Sequence, residues 1–369
     1  MVKKRGPMDF PLFVVILILA GFGLIMVFSA SMVEDAQRVD KNIYYHLIKQ
    51  GSWLIVGIGA MITMLIIPYQ KLRSKGLITI GMIISLLLLI IVLFMGSRKG
   101  STRWIDIGIS IQPSEFAKLM LIIYLSDTIA RKGEKIKTFA SGVFPVLLVS
   151  GLFAGLIILE PNLSTAMIIM ATAFCMLIVG GSKVGHLISL VFLGLGGGGI
   201  LSMSEGYRRQ RVLGFLNPWK DPLGTGYQAI QSLYALGAGG FFGTGLGQSR
   251  QKWYYIPEAY NDFILAIVGE ELGLIGVLFI ISLFIILVWR GMKIALNAKD
   301  KFGSLLATGI TSLIAVQSCI NLLVVSSFMP VTGVTLPLIS YGGSSFVLTM
   351  ASMGVLLNIS KNTSGNGVG

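Results

Sequence analysis

Apolar runs of about 18 residues or more recur from one end of the chain to the other, separated by short polar punctuation and by one long exception. Ten runs stand out, over residues 10–30, 50–67, 77–95, 111–129, 143–159, 162–180, 184–203, 262–289, 303–326 and 338–358. A helix rises about 1.5 Å per residue, so roughly 20 apolar residues cross a hydrocarbon layer about 30 Å thick. The pattern predicts an all-α polytopic protein with ten transmembrane helices, folded as a single domain over 1–369. Only Glu160-Pro161-Asn162 separates the fifth run from the sixth, which demands a tight helical hairpin.

The exception is residues 204–261, a polar, aromatic and glycine-rich stretch between the seventh and eighth helices. Irregular backbone survives at membrane depth only where protein buries it or it lines a wet cavity. A loop this long is a working surface before it is a linker. Residues 226–242 are apolar enough for the interface but too short and glycine-rich to span, so interfacial or re-entrant helices are expected there. The 262–289 run, at about 1.5 Å per residue, exceeds the bilayer core, which would place Asp262 at the outer headgroup level.

Composition agrees. Apolar residues make up 54% and charged residues 12%, against about 25% charged in a soluble domain. Mean hydropathy is +0.83. With both termini in the cytoplasm, the inner side collects 16 basic residues, among them Lys71, Arg73, Arg131, Lys132 and Lys293, against four acidic ones. The outer side is balanced, so the net +13 is a topology signal and not a nucleic-acid surface. Residues 204–261 then lie outside the cell membrane. Met1 to Arg5 before an apolar run reads as an uncleaved first helix.

Several chemistries find no support. Cys175 and Cys319 both fall in membrane helices, and His46 and His186 lie far apart, so neither a disulfide, a zinc site nor a Ser-His-Asp arrangement is expected. No phosphate-binding Gly-x-x-x-x-Gly-Lys-Ser/Thr is present. Gly243-Thr-Gly245-Leu-Gly247 follows no strand, and close backbone approach explains it better than a dinucleotide.

Charges inside the membrane are costly and mark function. Lys118 lies two turns into the fourth run, three residues after Glu115 on the same helix face. A local pair with Glu115 and a partner on another helix are equally open. Lys118 is also expected to reach Asp262 directly and hold it ionised. Glu270 and Glu271 sit on different faces at about 100° per residue, so both cannot point at one cavity.

The stretch from Arg211 through Tyr227-Gln228-Ala-Ile-Gln231-Ser232 strongly resembles the SEDS (shape, elongation, division and sporulation) family. So do Pro257-Glu258-x-x-x-Asp262-Phe263, Gly269-Glu270-Glu271-Leu272-Gly273, Arg103-Trp104-Ile105, Gln112-Pro113-Ser114-Glu115 and Ser340-Tyr-Gly-Gly-Ser344-Ser345. Ser249-Arg250-Gln251-Lys252-Trp253 and Phe28-Ser29-Ala30-Ser31 look like the FtsW and SpoVE branch. The resemblance implies a peptidoglycan glycosyltransferase that polymerises lipid II at the outer face of the bacterial cell membrane, at the division septum. Asp262 is then the catalytic base, with Lys118, Arg103, Glu115, Glu258, Arg211, Gln228, Gln231 and Ser344 around the substrate. It implies a class B penicillin-binding protein and other division proteins as partners, and positive charge on the leaving pyrophosphate from arginine, lysine or a divalent cation such as magnesium or manganese. A lipid II flippase and a non-catalytic division scaffold are the alternatives. Two departures stand out. Glu160-Pro161-Asn162-Leu163-Ser164 replaces Glu-Pro-Asp-x-Gly, and Pro257-Glu258-Ala259-Tyr260-Asn261-Asp262 lacks the common histidine before Asp262.

Overall fold

A computed structural model describes residues 6–37, 42–95, 103–106, 110–204, 206, 209 and 214–363. Among them run α1 (Phe10–Ala36), α2 (Tyr45–Ile66), α3 (Lys75–Phe94), α4 (Pro113–Lys132), α5 (Phe144–Leu159), α6 (Leu163–Gly180) and α7 (Val184–Ser204). A short α8 (Tyr227–Gly239) follows, then α9 (Ile264–Asn297), α10 (Lys301–Val325) and α11 (Gly343–Ser360). The only strands among the described residues, β1 (Ile105–Asp106) and β2 (Ser110–Ile111), form a minimal antiparallel hairpin before α4. The chain is all-α, and among the described residues eight helices are long and apolar enough to cross a membrane. The other two of the ten expected, α4 and α7, have 20 and 21 residues. Glu115, Lys118, Asp127, Arg131 and Lys132 lower the hydropathy of α4.

Sequence sets several helix ends. Asp9 accepts the Leu12 amide at the start of α1, Asn162 that of Thr165 at the start of α6, and Asp300 that of Gly303 at the start of α10. Gly181, at φ 91°, closes α6 in the left-handed conformation that favours glycine. Glu115 in the first turn of α4 and Arg131 and Lys132 in its last turn complement the helix dipole.

The centre of the bundle is α10, which packs against α9, α6, α4 and α11 and buries most of its surface. Glycine lets helices close up: a Cβ on Gly354 of α11 would collide with the Met61 backbone of α2. Ile55 on α2 and Ile80 on α3 are 74% and 60% exposed, as a lipid-facing surface requires. Both described chain ends lie at one end of the bundle, where Gly6 donates to the Lys361 carbonyl at 3.0 Å and Arg290 grips Asp9. The β-hairpin, the α5–α6 turn, residues 240–263 and residues 326–342 gather at the other.

Two expected spans change in detail. The 338–358 run becomes helical only at Gly343, because Leu338 takes a left-handed φ of 65°. The 262–289 run is not one straight rod. It starts at Ile264 and breaks at Gly273, where φ is 65° and ψ −164°. Asp262 therefore heads a short, fully packed half-helix, Ile264–Leu272, rather than the tip of an over-long span.

Candidate active site

The break in α9 is filled by the chain itself. Leu274 and Ile275 donate to the carbonyls of Gly240 and Phe241, while Thr244 and Gly245 donate to those of Glu270 and Glu271, at 2.9–3.3 Å. Backbone groups freed by the kink thus find partners in a glycine-rich strap, the condition for irregular backbone at membrane depth. Glycine is obligatory: a Cβ on Gly239, Gly243 or Gly273 would run into opposing backbone, and the last two have positive φ. Gly243-Thr-Gly245 is a packing motif, as its sequence suggested.

Glu270 and Glu271 hold the next segment of the loop. Glu270 accepts the Ser249 hydroxyl and the amides of Arg250, at 2.8 Å, and Gln251, at 3.2 Å. Glu271 accepts Ser29 of α1 at 2.7 Å, the Ser249 amide at 3.3 Å and Lys252 Nζ at 3.1 Å. Separate faces did not mean separate partners: both carboxylates converge on residues 249–252, because the loop folds around the half-helix. Lys252, 6% exposed, is consumed in this pairing. A buried charge is retained only when paired and hydrogen-bonded, and here it is both.

Asp262 follows directly on this strapped loop. It is half-buried, one residue ahead of fully buried Phe263, at the N-terminus of the half-helix. Its backbone is fixed from α10: Asn321 Nδ2 donates to the carbonyls of Asp262 and Val334, both at 2.7 Å. Residues 326–342 pass beside it closely enough that a Cβ on Gly333 would lie 3.8 Å from Asp262 Oδ2.

Lys118 joins this arrangement indirectly. Its ammonium pairs with Glu115 at 2.7 Å and donates to Gln317 of α10 at 3.2 Å, so the expected direct contact with Asp262 is not formed. Glu115 lies one turn away on the same face and captures the charge first. Gln317 Nε2 in turn donates to the Thr335 carbonyl at 3.0 Å, and Asn321 is one turn further along α10. Two amides on one helix face therefore bridge Lys118 to the loop beside Asp262. Ser345 donates to Glu115 at 3.2 Å, and Ser344 accepts the Gln112 amide at 3.2 Å, so the start of α11 closes the cluster.

Arg103 stands at the α5–α6 turn, donating to the carbonyls of Glu160 and Pro161. The Glu160 side chain is fully buried with neither oxygen partnered among the described residues. Desolvation pushes its carboxyl up to about 8, and Arg103 only partly offsets this. The turn reaches the Asp262 region, since Ser164 donates to the Thr332 carbonyl at 3.3 Å. Glu258 adopts φ 48° and accepts from Asn261 at 2.9 Å. Gln228 and Gln231 are half-buried on α8, which lies across the end of α10 through Ser232 and the Val325 carbonyl. Arg211 lies outside the described residues. Gln317 and Asn321 were missed from sequence, although two amides at i and i+4 in an otherwise apolar run were a visible signal.

The sequence profile of the FtsW, RodA and SpoVE cell cycle proteins matches residues 10–365. The chain is a member of that family. Stage V sporulation protein E of Bacillus subtilis is 44% identical, over 97% of this chain and 98% of that one. A probable peptidoglycan glycosyltransferase FtsW of Geobacter metallireducens is 40% identical, over 98% and 97%. Among solved structures, a peptidoglycan synthase complex that coordinates polymerization and crosslinking contains a chain of TM-score 0.77 and 28% identity, covering 96% of this chain and 97% of that one. Thermus thermophilus RodA, a rod shape determining protein, superposes with TM-score 0.69 at 25% identity, covering 97% and 98%. Family membership and the apolar helices make this a multi-pass membrane protein.

Proposed function

We propose that this family member is a peptidoglycan glycosyltransferase that polymerises lipid II during cell division, with Asp262 as general base. The observation that carries the reading is Asp262 itself: a half-buried carboxylate at a helix N-terminus, on backbone held by Asn321, at the end of the bundle where irregular segments gather. Names of similar proteins supply the reaction class. The carboxylate takes the proton of the acceptor sugar hydroxyl as that oxygen attacks the donor anomeric carbon. The bond to the undecaprenyl pyrophosphate breaks, and the configuration inverts without a covalent enzyme intermediate.

The leaving pyrophosphate needs positive charge. Lys118, Arg103, Lys252, Arg250 and the arginines at positions 208, 209 and 211 are the candidates. No cluster of three acidic, histidine or cysteine side chains among the described residues forms a ready cation site. Of the described side chains, Asp262 would be the one to hold a magnesium or manganese ion, since such ions are commonly bound by one or two carboxylates. The ion would supply neutralisation of the leaving group.

The Asp262 end faces outward in this reading, with both termini in the cytoplasm and α4 and α7 completing ten spans. Clustering of Lys71, Arg73, Arg131, Lys132 and Lys293 at the opposite end supports it. Exposed Trp219, Tyr234, Phe241 and Phe242 suit an interfacial loop. A class B penicillin-binding protein is the partner that the synthase-complex likeness suggests. The deciding experiment is polymerisation of lipid II by the purified chain with and without its cognate transpeptidase. Glycan strands support the proposal. Transport of labelled lipid II across vesicles without polymer would favour a flippase, and neither activity would leave a scaffold.

A further inference from the structure

Two residues before Asp262 stands Tyr260, where the resemblance led to a histidine. The structure sets a different imidazole against it. His46, in the first turn of α2, places its ring 4.5 Å from that of Tyr260 and 4.9 Å from that of Tyr341, and the two tyrosines meet edge-on at 5.7 Å. His46 is 5% exposed and Asp35, at the end of α1, is fully buried. His46 Nδ1 lies 2.6 Å from Asp35 Oδ1, while Oδ2 accepts the His46 amide at 3.0 Å and the Ser31 hydroxyl at 3.4 Å. A ring held by one nitrogen against a carboxylate has its orientation fixed.

What this ring touches matters for Asp262. Tyr260 donates its hydroxyl to Glu34 at 3.1 Å and its carbonyl accepts the Tyr341 amide at 3.0 Å. The Gly342 amide donates to Gln50, one turn along α2 from His46, at 3.4 Å. Residues 260–262 are therefore gripped on one side by the aromatic cluster and on the other by Asn321. The cluster joins α1, α2, the 257–263 segment and the 336–342 segment.

We propose that His46, oriented by Asp35, is a positioning residue that replaces from α2 the imidazole absent at position 260. Through Tyr260 and Tyr341 it fixes the segment that carries Asp262. The inference rests on Asp262 being the base, and its test separates the two.

The test is a double-mutant cycle of His46→Phe, Tyr260→His and the pair, in the full chain with its transpeptidase partner in lipid vesicles. Polymerisation kinetics and thermal unfolding midpoint are both read. Phe keeps the ring packing but loses the bond to Asp35. His46→Phe should lower kcat by about tenfold or more with KM within about twofold, because misplacing a catalytic group costs rate rather than binding. The pair should recover to within about threefold of the parent, a non-additivity expected only of residues in contact. Additive losses, or a near-parental rate for His46→Phe, would overturn the idea. His46→Asn guards against misfolding, since it keeps a donor for Asp35 without a ring for Tyr260. It should fold yet lose kcat, and a folded, fully active His46→Asn protein would also sink the proposal. Should the parent chain make no polymer, the glycosyltransferase reading fails. The unfolding midpoints of the cycle then still decide the exchange: non-additive shifts sustain it and additive ones refute it.

Discussion

The two ends of the bundle treat polar groups in opposite ways. At the end that holds the chain termini, charges are consumed. Asp9 caps α1 and grips Arg290, Asp300 caps α10 and accepts the Tyr69 hydroxyl, and Asp127 lies between Arg73 and Arg131. Among the described residues, the buried polar atoms without partners at the Asp262 end are Ser114 Oγ, both Glu160 oxygens, Gln251 Oε1, Asn321 Oδ1 and Thr332 Oγ1, against His186 Nδ1 and Thr311 Oγ1 elsewhere. Among the described residues, the non-glycine positions at positive φ, namely Pro161, Tyr254, Glu258, Ser327 and Leu338, all lie at this end as well. Orphaned polar atoms and strained backbone cost stability and cluster where function needs them. One end closes the fold; the other carries the proposed site.

The largest effect should come from Asp262→Asn, which keeps volume but removes the proposed base. Polymerisation of lipid II should fall by about two to four orders of magnitude with the unfolding midpoint little changed. Full activity in a folded Asp262→Asn protein would erase the functional side of the contrast. Next comes Asn321→Leu, which strands the carbonyls of Asp262 and Val334. Losing those bonds should destabilise by about 1–3 kcal/mol, and rate should fall by about a hundredfold through misplacement of Asp262. A rate loss no greater than the loss of folded protein would assign Asn321 to packing alone.

Glu160 sharpens the comparison through pH. Its carboxyl sits at about 8 in the folded chain, against roughly 4.3 for an unfolded glutamate. Between these values the folded state holds the extra proton, so stability falls as pH rises through that window and levels above it. The unfolding midpoint of the parent should drop across it, whereas Glu160→Gln should flatten that part of the profile. Identical profiles would mean that Glu160 is solvated. The smallest effect on activity belongs to the other end. Asp9→Ala removes a helix cap and the Arg290 partner and should cost about 1–2 kcal/mol. Turnover per folded molecule should stay at the parental value, and a specific loss of kcat would break the division of labour between the ends.

Much of this was legible in the chain. Long apolar runs specify helices because lipid leaves the backbone no other partner, so the spans of α1 to α7 and α10 lie within a few residues of the apolar runs. Caps at Asp9, Asn162 and Asp300, the hairpin at Glu160-Pro161 and the pairing of Glu115 with Lys118 are local, and local spacing determines them. The family motifs pointed to Asp262 from sequence alone.

Tertiary structure decided the rest. The break at Gly273 depends on the 239–245 strap, a segment about 30 residues earlier that no periodicity within α9 reveals. Glu270 and Glu271 share residues 249–252 because the loop wraps the half-helix, although their helical angles set them apart. Lys118 reaches the Asp262 loop through Gln317 and Asn321 instead of directly, since a buried ammonium takes the nearest carboxylate and amide. His46 meets Tyr260 across more than two hundred residues. Sequence fixes what each segment does with its own neighbours in the chain; burial, charge pairing and ring contacts between distant segments exist only once the bundle has closed.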